Sequence, residues 1–301
     1  MVRLRIPASS ANMGPGFDTL GVALNLYSRL EIEEIPEGVV VNTINPKGFT
    51  PRDENNLIYK AAMNVFEYTG YKAKGLKITQ DSAIPMTRGL GSSSACIIGG
   101  MLAANVISGR KLAYKEILNL AAKMEGHPDN VAPALYGGFC VSVYDGNTAW
   151  CKSTKLNPDI KFAVMIPDYF VATKKSREVL PEAVPFKDAV HNVSRASLLQ
   201  AALISGDMSM LKTAVDDRLH QQYRKSYIDG FDEIFEKTYE LGAKATYLSG
   251  SGPTIVSVID ENYEEFNDGM KNFFKENSHD RNCMILSVDN VGAVVSEATR
   301  F

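Results

Sequence analysis

The run from Ser92 to Ser108, SSSACIIGGMLAANVIS, is apolar nearly all round at helical spacing. A helix without a polar face has to be covered on every side. The run therefore predicts a central, buried helix, and the rest of the chain has to build layers around it. It is broken by Gly99, Gly100 and Asn105 and is too short to span a bilayer. Directly ahead of it lies PMTRGLGSSSA, a flexible, hydroxyl-rich turn fused to the start of the helix.

The covering layers are legible from periodicity. VRLRI sets Val2, Leu4 and Ile6 against Arg3 and Arg5, and YSRLEIEEI sets Leu30 and Ile32 against Arg29, Glu31 and Glu33; both read as half-buried strands. GVVVNTI and GLKITQ read as further strands. Asn55 to Tyr68 places Leu57, Ile58, Ala61, Ala62, Val65 and Phe66 on one helical face, stopped by Gly70. Tyr114 to Glu125 is amphipathic and ends at Gly126, and GFCVSVYDGNTAWCKST is a hairpin turning at Asp145-Gly146. Beyond Thr154 come the strand IKFAVMIP, helical patterns over 174–180, 189–205, 208–218 and 230–241, and KATYLSGSGPTIVSVID as strand, glycine turn, strand. A helix over 261–276 and the strands CMILSV and GAVVSE complete the chain. Strands and helices mix without a regular βαβ repeat, which points to two α+β lobes joined near residue 155.

Composition excludes several classes of partner. A net charge of −3 over 301 residues, with no Lys/Arg block, points away from nucleic acid and from a membrane surface. Cys96, Cys140, Cys151 and Cys283 make no CxxC pair, so a zinc site is not expected. MVRLRIPAS lacks the apolar core of a secretion signal, and a cytoplasmic location is the expectation.

The turn ahead of the central helix is where chemistry concentrates. It is no Walker loop, because GxxxxGK[ST] is absent; GLGSSS and GSGPTI do not complete GxGxxG, and no GxSxG elbow occurs. Gly89 and Gly91 permit positive φ and a close approach of backbone to a ligand. Ser92, Ser93 and Ser94 open the helix, whose first turn offers unpaired N–H groups and the positive end of its dipole. A triphosphate suits such a site. The serine hydroxyls can add hydrogen bonds or a ligand to Mg²⁺, and Arg88 lies beside the turn.

PMTRGLGSSSA resembles the second signature of the GHMP kinases. PASSANMGPGFDTLGVAL (7–24) is similar to their first signature in its homoserine kinase form, and YLSGSGPTIVSV (247–258) to the third; EGHPDNVAPALYGGF (125–139) also resembles the homoserine kinase branch. The resemblance implies a two-lobed α+β GHMP kinase fold, with an N-terminal ATP-binding lobe (1–155) and a C-terminal ferredoxin-like α/β lobe (156–301). It implies ATP and Mg²⁺ as cofactors, with the nucleotide held by Pro85, Arg88, Gly89, Leu90, Gly91, Ser92, Ser93, Ser94 and Ala95. Asn55 and Asn56, ahead of a helix, are candidates for the base, although an N-cap explains one of them equally well.

The same resemblance implies that Asn12 and Asp18, flanking the Gly-Pro-Gly turn, meet the substrate's hydroxyl and ammonium. Glu125 becomes a ligand of Mg²⁺ together with Ser93, and Asp129 matches the catalytic-base position of mevalonate-type relatives, where a structural or electrostatic role is the alternative. His127 and Asn130 line the pocket. Arg177, spaced i, i+4 from Thr173, and Arg224, in DRLHQQYRKS, clamp a carboxylate; HQQYR stands where the branch usually has HQPYR. The Gly250-Ser251-Gly252 turn supports the phosphate loop. The implied reaction is ATP-dependent phosphorylation of the side-chain hydroxyl of L-homoserine to O-phospho-L-homoserine, a step of L-threonine biosynthesis. Alternatives are a GHMP-type kinase of another small alcohol and a non-catalytic GHMP-fold ligand-binding protein. The expected partners are L-homoserine and ATP, with a homodimer left open.

Overall fold

The alternation read at the N-terminus forms strand β1 (Val2–Ala11), in which Val2, Leu4 and Ile6 are buried. A computed structural model describes residues 1–44, 46, 50–169 and 173–297, apart from the side chains of 173–175 and 297. β1 pairs antiparallel with β2 (Leu20–Glu34), Val2 opposite Ile32 and Ala11 opposite Gly21. β3 (Gly38–Ile44) runs parallel to β4 (Gly75–Ser82), which pairs with the far half of β2. β5 (Phe139–Tyr144) and β6 (Ala149–Thr154) form the expected hairpin, and β5 docks on the near half of β2.

Four helices pack against this sheet: α1 (Leu57–Thr69), α2 (Ser92–Ile107), α3 (Tyr114–Glu125) and the short α4 (Val131–Tyr136). α2 is the central helix. Ala95, Ile97, Ile98 and the run from Gly99 to Asn105 are all buried. A side chain at Gly100 would strike the Ile58 carbonyl, so this glycine lets α1 and α2 pack at close range. Among the described residues no helix is long and apolar enough to cross a membrane.

The second sheet runs β10–β7–β9–β8, all antiparallel, from β7 (Lys161–Pro167), β8 (Ala245–Leu248), β9 (Ile255–Ile259) and β10 (Arg281–Ser287). Ala163, Met165, Ile255 and Ile259 face Ile234 of α9 (Phe231–Glu240) and Phe266, Met270 and Phe274 of α10 (Tyr263–Glu276). The opposite face, with Phe162, Val164 and Val256, joins the main core together with Leu199 and Leu203 of α6 (Phe186–Ser205). The short α5 (Thr173–Glu178) precedes α6.

Two features are not set by periodicity. The last strand, β11 (Val294–Glu297), crosses back to pair with β1, so the first sheet is completed by the end of the chain. The helix expected over 208–218 breaks into a 3₁₀ turn, α7 (Leu211–Ala214) and a loop. The Asp217 carboxylate accepts the N–H groups of Leu219, His220 and Gln221, and so holds the loop that leads into α8 (Gln221–Arg224). An Asp side chain can offer the backbone an alternative to the helical ladder.

Candidate active site

A cavity of about 330 Å³ lies where the β1–β2 turn, the loop before α2, the α3–α4 turn, α5 and α8 converge. Its floor is the expected glycine-serine turn. Gly91 takes φ 68° and ends the loop, and α2 begins at Ser92. The reason for glycine is more specific than ligand access. A Cβ at Gly91 would meet Ser9 Oγ, and one at Gly89 would meet the Ser249 carbonyl. Ser249 Oγ also donates to the Gly89 carbonyl over 2.5 Å. The third glycine-rich segment thus folds directly onto the phosphate-loop candidate. Leu90, Gly91, Ser92 and Ser93 face the cavity; Ser94 and Ala95 are buried behind it, and Pro85 is not in its wall.

Helix α3 ends at Glu125 because Gly126 turns the chain at φ 93°. Ser93 Oγ donates to Glu125 Oε2 over 2.9 Å, and Ser94 Oγ reaches Oε1 over 3.4 Å. Burial pushes the Glu125 carboxyl above its usual range. A carboxylate and a hydroxyl side by side at a helix N-terminus are hard oxygen donors. They suit Mg²⁺, which keeps few protein ligands and completes its shell with water and phosphate.

Two residues on, His127 Nδ1 contacts Asp129 Oδ1. Burial opposes charging of this imidazole, but Asp129, with Asp18 and Glu125 nearby, outweighs it and lifts the pKa to about 9. His127 is therefore a cation at neutral pH. Asp129 does not cap α4; Asn130 occupies the cap position, and its Oδ1 accepts from Ser9 Oγ over 2.9 Å. Asp18, His127 and Asp129 bring their polar atoms within 4.8 Å of one another.

Two arginines adjoin this cluster. Arg177 Nη2 lies 2.6 and 2.7 Å from the two Asp18 oxygens. Arg224 is 3% exposed, and both guanidinium groups stack on Phe17, at 5.4 Å for Arg177 and 5.3 Å for Arg224. Burial, then the neighbouring Arg177, lowers the Arg224 pKa to about 10, which leaves it charged at neutral pH. Asn12, Met13 and Asp18 all take positive φ (66°, 46° and 54°). Non-glycine residues in that region mark a turn held by its surroundings.

Several expected contacts take another form. Asn12 lines the cavity, but its Nδ2 donates to the Gly250 carbonyl and its Oδ1 accepts from the Asp18 N–H, so the amide braces the turn. Arg88 borders the cavity, yet its donors go to the carbonyls of Met86, Pro167 and Asp168, which tie the loop to the end of β7. Asn55 does not reach the cavity; it is exposed, bonded to Asp53 and Lys60. Asn56 does line it, but its Oδ1 caps α1 through Ile58 and Tyr59. The Thr173 side chain lies outside the described residues.

Part of the cavity lining is an apolar slot of Ile44, Leu57, Ile84 and Met86, with Thr43, Gln80 and Cys96 as its polar points. Thr43 and Gln80 are register partners on β3 and β4, and Gln80 Nε2 bonds Cys96 Sγ at 3.5 Å. Sequence reasoning missed these residues, and also Phe17, because each looks like an ordinary core position in its own strand, helix or turn. The buried Gln in GLKITQ was the one available signal.

The GHMP kinases N-terminal domain matches residues 56–138, and the GHMP kinases C-terminal domain matches residues 199–275. A homoserine kinase of Clostridium beijerinckii is 47% identical over 301 residues, 100% of each chain. The chain belongs to the homoserine kinases of the GHMP superfamily. A second homoserine kinase, from Caldicellulosiruptor bescii, is 45% identical over 98% of this chain and 97% of its own. The crystal structure of homoserine kinase from Cytophaga hutchinsonii superposes with a TM-score of 0.88 at 28% identity, covering 98% of this chain and 97% of the other. Within the homoserine kinase family the chain is thus an ATP-using kinase. The matched N-terminal segment carries the glycine-serine turn and Glu125, and the C-terminal segment carries Arg224 and the Gly250 turn.

Proposed function

We propose that the protein transfers the γ-phosphoryl group of ATP to the side-chain hydroxyl of L-homoserine, giving O-phospho-L-homoserine, and that it does so on the way to L-threonine. The observation that carries this reading is the meeting, in one cavity, of a helix N-terminus suited to phosphates with a wall that holds Asp18, Arg177 and Arg224. A carboxylate beside two guanidinium groups matches an α-amino acid zwitterion. Mevalonate and shikimate lack the ammonium that Asp18 would hold.

In this reading the backbone N–H groups of the first turn of α2 receive the phosphates, and Ser92 and Ser93 add hydroxyl donors. Ser93 and Glu125 would hold Mg²⁺, which supplies charge neutralisation on the phosphates when bound. The apolar slot takes the base, with Gln80 and Thr43 at its edge. Asp18 binds the ammonium, and Arg177 and Arg224 bind the carboxylate through charge-assisted bonds. These two anchors aim the terminal hydroxyl at the γ-phosphate. Transfer of a phosphoryl group through a loose transition state asks chiefly for alignment and charge neutralisation. Asp129, paired with the His127 cation, is assigned to orientation of the hydroxyl and to the electrostatics of the site, with Asn130 beside it. The side chain of Asn12 positions Asp18.

The test is a coupled assay with ATP, Mg²⁺ and a panel of alcohols that includes homoserine, mevalonate, shikimate and 3-amino-1-propanol. The proposal expects kcat/KM for homoserine to exceed the others by at least about two orders of magnitude, as loss of charge-assisted bonds implies. A preference for an uncharged alcohol would refute it, and no turnover at all would favour a non-catalytic ligand-binding role.

A further inference from the structure

His220 is fully buried at the start of α8, and each polar atom of its ring has a fixed partner. Nε2 lies 2.8 Å from the Gly14 carbonyl oxygen, and Nδ1 lies 3.2 Å from Arg224 Nη1. A carbonyl only accepts and a guanidinium only donates. The proton is therefore on Nε2, the lone pair is on Nδ1, and the ring is neutral. The Phe17 ring packs against it with centroids 5.4 Å apart.

The groups facing His220 reinforce this state. The Asp217 carboxylate is 3.7 Å from Nε2, but it is already engaged by three backbone N–H groups and by Asn192 Nδ2. Arg224 stands on the other side, and Asp18 lies in the turn that Gly14 helps to build. An imidazolium here would lose its bond to Arg224 and set two cations face to face. Burial, opposed by Asp217 and aided by Arg224, holds the imidazole below its ordinary pKa.

The remaining bonds of Arg224 give the ring its purpose. Nε donates to the Ser176 carbonyl over 3.0 Å and Nη1 to the Gly250 carbonyl over 3.0 Å. His220 is thus one of three acceptors, drawn from α5, α8 and the glycine turn, that orient one guanidinium. It also joins that guanidinium to the turn carrying Asp18.

We propose that His220 is a positioning residue for substrate recognition: as the neutral Nε2–H tautomer it locks Arg224 to the Gly14 turn, and so sets the distance between the guanidinium that reads the carboxylate and the Asp18 that reads the ammonium. The inference rests on the zwitterion reading above. It makes the histidine of HQQYR part of the specificity apparatus although it touches no substrate.

The test compares His220→Asn, His220→Gln and Arg224→Ala in the full-length protein, each checked for cooperative melting. Asn places its Oδ1 where Nδ1 was and keeps the acceptor for Arg224. Gln places its amide nitrogen near Nε2 and keeps only the donor to Gly14. The expected result is a rise of about ten-fold in KM for homoserine with His220→Gln, most of it recovered in His220→Asn, with KM for ATP moved less than about two-fold in both. Imidazole ¹⁵N shifts of the wild type should show the Nε2–H form from pH 6.5 to 8. Equal changes in both KM values, an unchanged homoserine KM in folded His220→Gln while Arg224→Ala raises it, or an Nδ1–H or charged ring would each overturn the positioning role. An unchanged homoserine KM in Arg224→Ala would instead overturn the carboxylate clamp, and with it this inference.

Discussion

Arg177 Nη2 is 2.6 Å from Asp18 Oδ1 and 2.7 Å from Oδ2, so the two residues assigned to opposite ends of the substrate hold each other in the cavity lining. Asp18 comes from the β1–β2 turn and Arg177 from α5. The pair is partly exposed, with side chains 45% and 32% accessible. Such pairs contribute roughly 0–1 kcal/mol to stability. Asp18→Asn should therefore leave the melting temperature within about 2 °C. It should lower kcat/KM for homoserine by at least about ten-fold, through loss of a charge-assisted bond. Calorimetric melting and steady-state kinetics check the two halves. A large loss of stability with unchanged kinetics would make the pair a structural clasp.

Much of this site could be read from the chain because its pieces are contiguous. The central helix, the Gly91 turn and the stop at Gly126 each follow from local pattern, and each places a residue of the cavity. The Asp18–Arg177 and Ser9–Asn130 contacts span 159 and 121 residues, and no periodicity encodes them. The same holds for β11, whose pattern predicts a strand but not its partner. Arg88 and Asn12 both border the cavity as expected, but each also makes bonds that the sequence does not show. Sequence reveals that a polar side chain lies beside a loop, but not which backbone carbonyls distant in the chain it also bonds.

Gly91 is fixed by its own backbone conformation and by Ser9. Its φ of 68° and the closeness of Ser9 Oγ leave no room for a side chain. Gly91→Ala should destabilise the fold by about 1–3 kcal/mol through backbone strain and overlap. The accompanying loss of ATP affinity should persist at a temperature where the variant is still folded. Denaturant melts and nucleotide titration calorimetry measure both effects. A variant as stable as the wild type would contradict the observed geometry.

Glu125→Gln addresses the metal reading. The amide keeps the shape but withdraws the charge that would hold Mg²⁺ beside Ser93. The Mg²⁺ concentration for half-maximal rate should rise by at least about ten-fold, and kcat should fall more than homoserine affinity does. A Mg²⁺ dependence identical to the wild type would remove Glu125 from that role.

The buried His220 also gives a pH signature in stability. Its folded-state pKa lies below the unfolded value of about 6.5. Above that pH both states are neutral at this residue and stability is at its full value. As pH falls below about 6.5 the unfolded chain takes up a proton that the folded protein refuses, so stability declines. His127 has the opposite sign: its pKa of about 9 adds stability below pH 6.5 that is lost as pH rises through 9. The two slopes occupy separate windows. Urea melts between pH 5 and 6.5 should lose part of their slope in His220→Gln, and an unchanged slope would place the proton elsewhere.

In the proposed reaction one cavity reads both charged ends of an amino acid while it phosphorylates the third group. The most direct measurement compares kcat/KM for homoserine and for 3-amino-1-propanol, which lacks the carboxylate, in the wild type and in Arg177→Ala and Arg224→Ala. Each arginine bond is worth about 1.5–3 kcal/mol, so each variant should lose one to two orders of magnitude on homoserine. The loss on 3-amino-1-propanol should be several-fold at most, because the clamp then has no carboxylate to hold. Equal losses on both substrates would make the arginines scaffold and contradict the carboxylate clamp.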